Sequence, residues 1–316
     1  MSDQETRVFE IRPIPGYGLG VTATAHISRG DLIMSEAPLI TVDGSSVDGV
    51  GGIESSIVKS LKSLPKDDQR AYLSLHNCHG TKLSPILGIF KTNSIQLGVH
   101  EADAGWQVPN AAYSWNRKTS EELVYALNDI SPGEQITVSY LDNTTSKAPR
   151  SERQLKLRIS FDFECFCEAC ARSPKELDAS DRRRRNIAQM DSAIGAGSLM
   201  KSNPGKALRF CQRILEMWEK EGLRDVSEYR TYYDAFQVCV MHGDLARAGA
   251  FAALALKVKE DCEGKDAAGL EKIKGLLECP ESHPLAGTTS KWKTRIKSRH
   301  SIDSEGFEEW LWDRAE

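Results

Sequence analysis

The sequence has no long apolar run. Its longest nearly apolar stretch, residues 248–256, falls far short of the roughly 20 residues that cross a bilayer, so no membrane association is expected. It also lacks a charge imbalance. Lys and Arg number 41 against 45 Asp and Glu, for a net charge of -4. This speaks against a basic nucleic-acid-binding domain and against an acidic disordered tail. Met1, Ser2, Asp3, Gln4 and Glu5 are polar or acidic and carry no apolar core of a secretory signal, so the expected location is inside the cell, nuclear or cytoplasmic. Cysteine is not scarce, but its eight positions do not read as a disulfide scaffold spread over a short secreted chain. Three of them, Cys165, Cys167 and Cys170, fall within six residues.

A length of 316 residues suggests two domains. The first half reads as short strands and turns. Residues 7–11 alternate, and residues 13–20 then break the pattern with turn-formers. Residues 21–25, 31–35 and 39–42 are short apolar or β-branched runs, with Arg29-Gly30 as a tight turn between two of them. Residues 43–52, rich in Gly and Ser, read as a loop, and residues 57–75 as one or two helices. Strands return at 111–115, 123–127 and 135–140, the last two separated by a turn at Ser131-Pro132-Gly133-Glu134. The run 136–140 is the cleanest strand pattern in the chain.

Beyond about residue 172 the pattern turns helical. Asn203-Pro204 is an N-cap followed by proline at the first helical position, with Phe210, Cys211, Ile214, Leu215 and Trp218 on one face. Ser227 is expected to cap a second helix, and Gly243-Asp244 to stop it and start a third. This last helix pair resembles a tetratricopeptide unit, through Gly243-Asp244-Leu245, Ala248, Phe251 and Ala255-Leu256; an ordinary helical hairpin gives the same pattern. The fold class expected is therefore α+β, with a β-rich first half and an all-α second half.

The C-x-C-x-x-C spacing of Cys165, Cys167 and Cys170 lets three thiolates converge on one zinc ion, which favours tetrahedral sulfur ligation. The alternative is three ordinary buried cysteines. The segment itself supplies no fourth ligand.

The run 133–140, ending at Tyr140 and followed by this cluster, resembles the end of a SET-domain protein lysine methyltransferase and its post-SET segment. Gly16-Tyr17-Gly18-Leu19 is similar to the glycine motif that approaches S-adenosylmethionine. Lys91-Thr92-Asn93-Ser94 is similar to an asparagine-containing segment of the SET and MYND-type subgroup. Pro109-Asn110 resembles the end of the family's long asparagine–histidine motif. The resemblance implies a SET domain over 1–148, a post-SET segment over 149–175 and a tetratricopeptide-like helical region over 176–316. It implies methyl transfer from S-adenosylmethionine to a lysine of a histone or non-histone protein, with other protein partners met through the helical region. Tyr140 is then the catalytic tyrosine. Gly16, Tyr17, Gly18, Asn93 and Phe163 contact the cofactor, and Cys165, Cys167 and Cys170 hold zinc. Each has an ordinary alternative: a strand-end tyrosine, turn glycines, a turn asparagine, a core aromatic.

The chain departs from the family in two places. No Cys/His-rich finger lies between Ile40 and Leu75. Where the family has Asn-His-Ser-Cys before Pro-Asn, this chain has Ala104, Gly105, Trp106, Gln107 and Val108. The missing asparagine and histidine contact the cofactor in the family, and the missing cysteine is its usual fourth zinc ligand, so activity is expected to be impaired or replaced by a scaffold role. A misread exon boundary within 94–108 would leave the same gap. Three other features invite function. His76-Asn77-Cys78-His79 and His100 are candidate metal donors, the first more naturally a cap or buried contact. Arg182-Arg183-Arg184-Arg185 reads as a nuclear address or, more simply, as a solvated helix face. Residues 307–312 read as an apolar-acidic helix packed on the helical region.

Overall fold

The structure is a computed structural model that describes residues 7–15, 18–43, 49–95, 109–223 and 226–313. Gly16, Tyr17, His100 and the stretch aligned with the missing motif lie outside the described residues.

Six strands form two small antiparallel sheets among the described residues. The first, in the order β1-β2-β6, joins β1 (Phe9–Ile14), β2 (Gly18–Ala23) and β6 (Gln135–Ile136). The second, in the order β3-β5-β4, joins β3 (Leu32–Glu36), β4 (Ala111–Asn116) and β5 (Glu121–Ala126). Strand β1 runs through Pro13, where the sequence pattern suggested a break. It lies at a sheet edge, where a residue without an N–H is tolerated. Phe9, Ala23, Ile27, Ile33, Val124, Ala126, Ile130 and Ile136 form the core of this region.

Between β3 and β4 in the chain come α1 (Gly49–Ser63), α2 (Lys66–Ser74) and α3 (Pro85–Asn93). The loop expected over 43–52 thus gives way to a helix at Gly49. Residues 39–42 form no strand. Ile40 and Val42 instead pack on the cluster of Ile57, Leu61, Tyr72, Leu87 and Ile89, where burial of apolar side chains against helices outweighs their β-branched preference.

After β6 come α4 (Asn143–Lys147) and α5 (Arg150–Phe161), then an all-helical region. This comprises α6 (Pro174–Gly195), α7 (Ser198–Ser202), α8 (Pro204–Glu221), α9 (Val226–Met241), α10 (Leu245–Glu263), α11 (Leu270–Glu278) and α12 (Phe307–Trp312). Asn203 caps α8 through the Lys206 N–H at 3.1 Å, with Pro204 in the first turn. Helix α9 begins at Val226, so Ser227 lies within its first turn rather than before it. Gly243 has φ +78°, and Asp244 caps α10. Small residues Ala248, Ala252 and Ala255 let α10 lie close to its neighbours, with Phe251 and Phe236 fully buried. Phe307 and Leu311 of α12 are buried in the same core.

The helices clasp the sheets directly. Arg29, in the tight turn beside Gly30, reaches Glu228 of α9 at 3.0 Å and Asp261 of α10 at 3.2 Å. The Ser114 hydroxyl of β4 donates to the Glu263 carbonyl at 2.9 Å. The arginine run is not a free basic patch. Arg182 and Arg185 are exposed, but Arg183 and Arg184 join Arg172 around the fully buried Glu221 at 2.6, 3.3 and 3.2 Å. The cause is register: on α6 these two residues face the C-terminal end of α8. Burial pulls Arg184 down to about 10, and the nearby charge of Arg153 adds to that shift. No helix of the described residues is long and apolar enough to cross a membrane.

Candidate functional site

The site is organised by Asn110, a 9% exposed residue at the entry to β4. Its Oδ1 accepts from the Thr137 N–H at 2.8 Å, and its Nδ2 donates to the Gln135 carbonyl at 2.9 Å and to Glu134 Oε1 at 3.1 Å. The Ala111 N–H donates to the Thr137 carbonyl at 3.1 Å. Beyond the pairing of Gln135 and Ile136 with β2, the backbone of 135–137 is therefore satisfied by a side-chain amide and by the first residue of β4. This is why the expected strand over 135–140 forms a ladder only at Gln135–Ile136.

Ser139 then turns the chain. Its buried hydroxyl accepts from the Leu141 N–H at 3.2 Å and lies 3.1 Å from the Leu141 carbonyl. Leu141 drops into a small core with Leu157, Cys165 and Cys170, and Tyr140 is thrown outward, 58% exposed. At the other side α5 ends at Asp162, which adopts a left-handed conformation at φ 58°. Phe161 before that bend and Phe163 after it both meet Tyr140, with ring centroids 5.5 and 6.2 Å from it. Phe161 was not singled out by its sequence position. An aromatic two residues before Phe163, at a helix end, was the available signal. Tyr113 of β4 also belongs here: burial raises its hydroxyl pKa, and the charges of Tyr140 and Glu122 add to the rise.

The structure thus brings Tyr140 and Phe163 together. Gly18 opens β2 with φ +78°, and a Cβ there would meet nothing within 4 Å. Glycine at this position is demanded by backbone conformation, and the space before it is open. Asn93 ends α3. Its amide donates to the His76 carbonyl at 2.7 Å and the Ile89 carbonyl at 2.8 Å, which ties α3 to the loop after α2 and leaves its carboxamide oxygen as the acceptor. Among the described residues no hydrogen bond or ring contact links Gly18 or Asn93 to Tyr140. His76–His79 acts as the connection. Cys78 Sγ meets Thr92 Oγ1 at 3.3 Å and the Ser160 carbonyl at 3.9 Å, and the Asn77 side chain fills the space beside Gly88.

The ligand atoms of Cys165, Cys167 and Cys170 lie within 4.8 Å of one another. This is the grouping of metal-ligand side chains found among the described residues, and no fourth donor joins it there. Hydrogen bonds from the other two sulfurs, and then from Arg153, push the Cys170 thiol well below its usual range, while the same sharing pushes Cys165 up. The three sulfurs lie close enough to share hydrogen bonds with one another. A soft divalent metal fits such a donor set, because it replaces the shared protons with a common cation.

This geometry meets its comparison in known proteins. The SET domain family matches residues 18–141, which contain strands β2 to β6 and end one residue after Tyr140. Over 297 residues the chain is 31% identical to the histone-lysine N-methyltransferase set5 of Schizosaccharomyces pombe, covering 90% of this chain and 88% of that protein. It is 26% identical over 166 residues to the human histone-lysine N-methyltransferase SMYD3, covering 51% of this chain and 36% of that protein. A shorter stretch of 63 residues is 41% identical to the human protein-lysine N-trimethyltransferase SMYD5, 20% of this chain and 15% of that protein. The chain belongs to the SET-domain lysine methyltransferases of the SMYD-like type.

Proposed function

We propose that this chain transfers a methyl group from S-adenosylmethionine to a lysine of a protein substrate, histone or non-histone. Residues 1–148 act as the catalytic SET domain, 149–175 as its post-SET segment and 176–316 as a helical region that also receives protein partners. The observation that carries this reading is the similarity, over 90% of this chain, to a relative named as a histone-lysine N-methyltransferase.

The bound cofactor supplies a methyl group activated on a sulfonium sulfur. The chain's own work is alignment of the two reactants, which lowers the barrier without strong acid–base catalysis. Tyr140 is an exposed residue whose ring contacts two aromatic rings, and its hydroxyl orients the reacting groups. Phe163 offers a partly exposed face for the adenine. The open space at Gly18, with Gly16 and Tyr17 before it, admits close approach of the backbone to the cofactor. Asn93 turns its carboxamide oxygen to the cofactor. Cys165, Cys167 and Cys170 hold zinc, which pins the chain that carries Phe163. We place the protein in the nucleus or cytoplasm.

The absence of an Asn-His-Ser-Cys stretch before Pro109 favours a second reading, a member of the family that has lost activity and works as a scaffold. Calorimetry with S-adenosylmethionine, followed by mass spectrometry of histone substrates, separates the two. Binding and a mass gain of one methyl group are expected. No binding and no gain overturn the enzyme reading for this chain.

A further inference from the structure

Two consecutive residues of α5 face the cysteine trio and are used by none of the roles above. Arg153, 4% exposed, directs Nη2 to Cys170 Sγ at 3.6 Å and Nη1 to the Ala148 carbonyl at 2.8 Å. Gln154, 6% exposed, closes a two-bond ring on the main chain of Cys165: Nε2 donates to its carbonyl at 2.7 Å, and Oε1 accepts from its N–H at 2.9 Å. Adjacent side chains on one helix thus hold the first and last cysteines of the trio. Arg150 adds a bond from Nε to the Cys170 carbonyl at 3.0 Å.

Charge gives this arrangement a direction. A guanidinium withdrawn from water is stabilised by negative charge close to it, and the group Arg153 faces with Nη2 is the Cys170 sulfur. The surroundings are already rich in cations, since Arg172, Arg183 and Arg184 converge on the single carboxylate of Glu221 and the charge of Arg153 bears on Arg184. A divalent metal held by three thiolates carries one net negative charge. That charge falls where Arg153 points.

We propose that Arg153 and Gln154 are the positioning residues of the metal centre. Gln154 fixes the Cys165 main chain, while Arg153 holds Cys170 and complements the charge of the metal–thiolate group. This rests on the metal reading above and adds to it two residues that touch no metal themselves.

The test uses the full chain and cobalt(II) as the probe, under reducing, oxygen-free conditions. It reads thiolate-to-cobalt charge-transfer absorption and affinity by chelator competition. Arg153→Gln is expected to weaken cobalt binding by about 10- to 100-fold, the usual cost of losing a partner of a ligating side chain. Arg153→Lys keeps the charge but loses the forked geometry, and is expected to weaken binding less, by severalfold. An Arg153→Gln protein that folds and binds cobalt within twofold of the parent overturns the proposal. Should Arg153→Gln fail to fold by circular dichroism, a folded Arg153→Lys with parental affinity and spectrum overturns it instead. A parent chain with no charge-transfer band removes the metal reading itself. A parent that binds normally beside unaffected variants removes only the role of Arg153.

Discussion

The Asn110 carboxamide takes the place of a strand partner for Thr137: its Oδ1 accepts the Thr137 N–H at 2.8 Å while its Nδ2 donates to the Gln135 carbonyl at 2.9 Å. One side chain therefore fixes the segment that delivers Tyr140. Asn110→Ala would leave a partly buried donor, the Thr137 N–H, and a partly buried acceptor, the Gln135 carbonyl, unmatched, each costing up to about 1–3 kcal/mol. Chemical denaturation is expected to show a loss of about 3 kcal/mol, and methyl transfer should fall at temperatures where the variant is still folded. Parental stability would show that water replaces the amide.

Tyr140 meets Phe161 and Phe163 through its ring, and among the described residues no side-chain hydrogen bond of its hydroxyl anchors it. Tyr140→Phe keeps those ring contacts. Its melting temperature should match that of the parent, whereas turnover followed by mass spectrometry should be lost. Unchanged turnover would assign the hydroxyl no part in the reaction.

Glu122 sits in β5 opposite Glu36 of β3 and Trp115 of β4. Burial pushes its carboxyl up to about 7. The folded state thus holds a proton that the unfolded chain releases near pH 4.5. The stability linked to this group is full below about pH 4.5 and is lost as pH rises through about 7. Glu122→Gln should flatten the denaturation free energy across that window and be the more stable protein at pH 8. A profile with the same slope in both proteins would contradict this.

Glu221 behaves in the opposite sense. Burial alone would raise its carboxyl pKa, but the Ser180 hydroxyl and the charges of Arg184 and Arg183 outweigh that and lower it. Its contribution is present above the unfolded value and is lost as pH falls through the lower folded one. Acid unfolding followed by tryptophan fluorescence should therefore begin below about pH 4.5. Glu221→Gln leaves three guanidinium groups without their shared anion and should cost about 3–5 kcal/mol at neutral pH. A smaller effect than about 1 kcal/mol would mean that solvent reaches the cluster.

Much of the architecture was legible from local chemistry. The Asn203-Pro204 and Gly243-Asp244 signals act through a few neighbouring residues, and helix starts and stops appear where those residues stand. The spacing of Cys165, Cys167 and Cys170 likewise keeps three sulfurs within reach of one another. Readings that needed a distant partner fared differently. The run at 135–140 has strand residues throughout, yet after Ile136 the Asn110 side chain takes the Thr137 N–H and Ser139 turns the chain by bonding Leu141. The arginine run looked solvated because its acceptor, Glu221, lies 38 residues from Arg183 in the chain.

The sequence by itself determined the class of elements, the order of the motifs and the cysteine trio, because capping, turn geometry and periodicity are short-range effects. Tertiary structure alone decided what surrounds them. Phe161 before the left-handed turn at Asp162 and Phe163 after it both meet Tyr140, and α5 lays Arg153 and Gln154 against the cysteines. Arg29 ties the strands to α9 and α10. These pairings are made by burial and charge between segments far apart in the chain, and no local pattern encodes which partner a side chain will find.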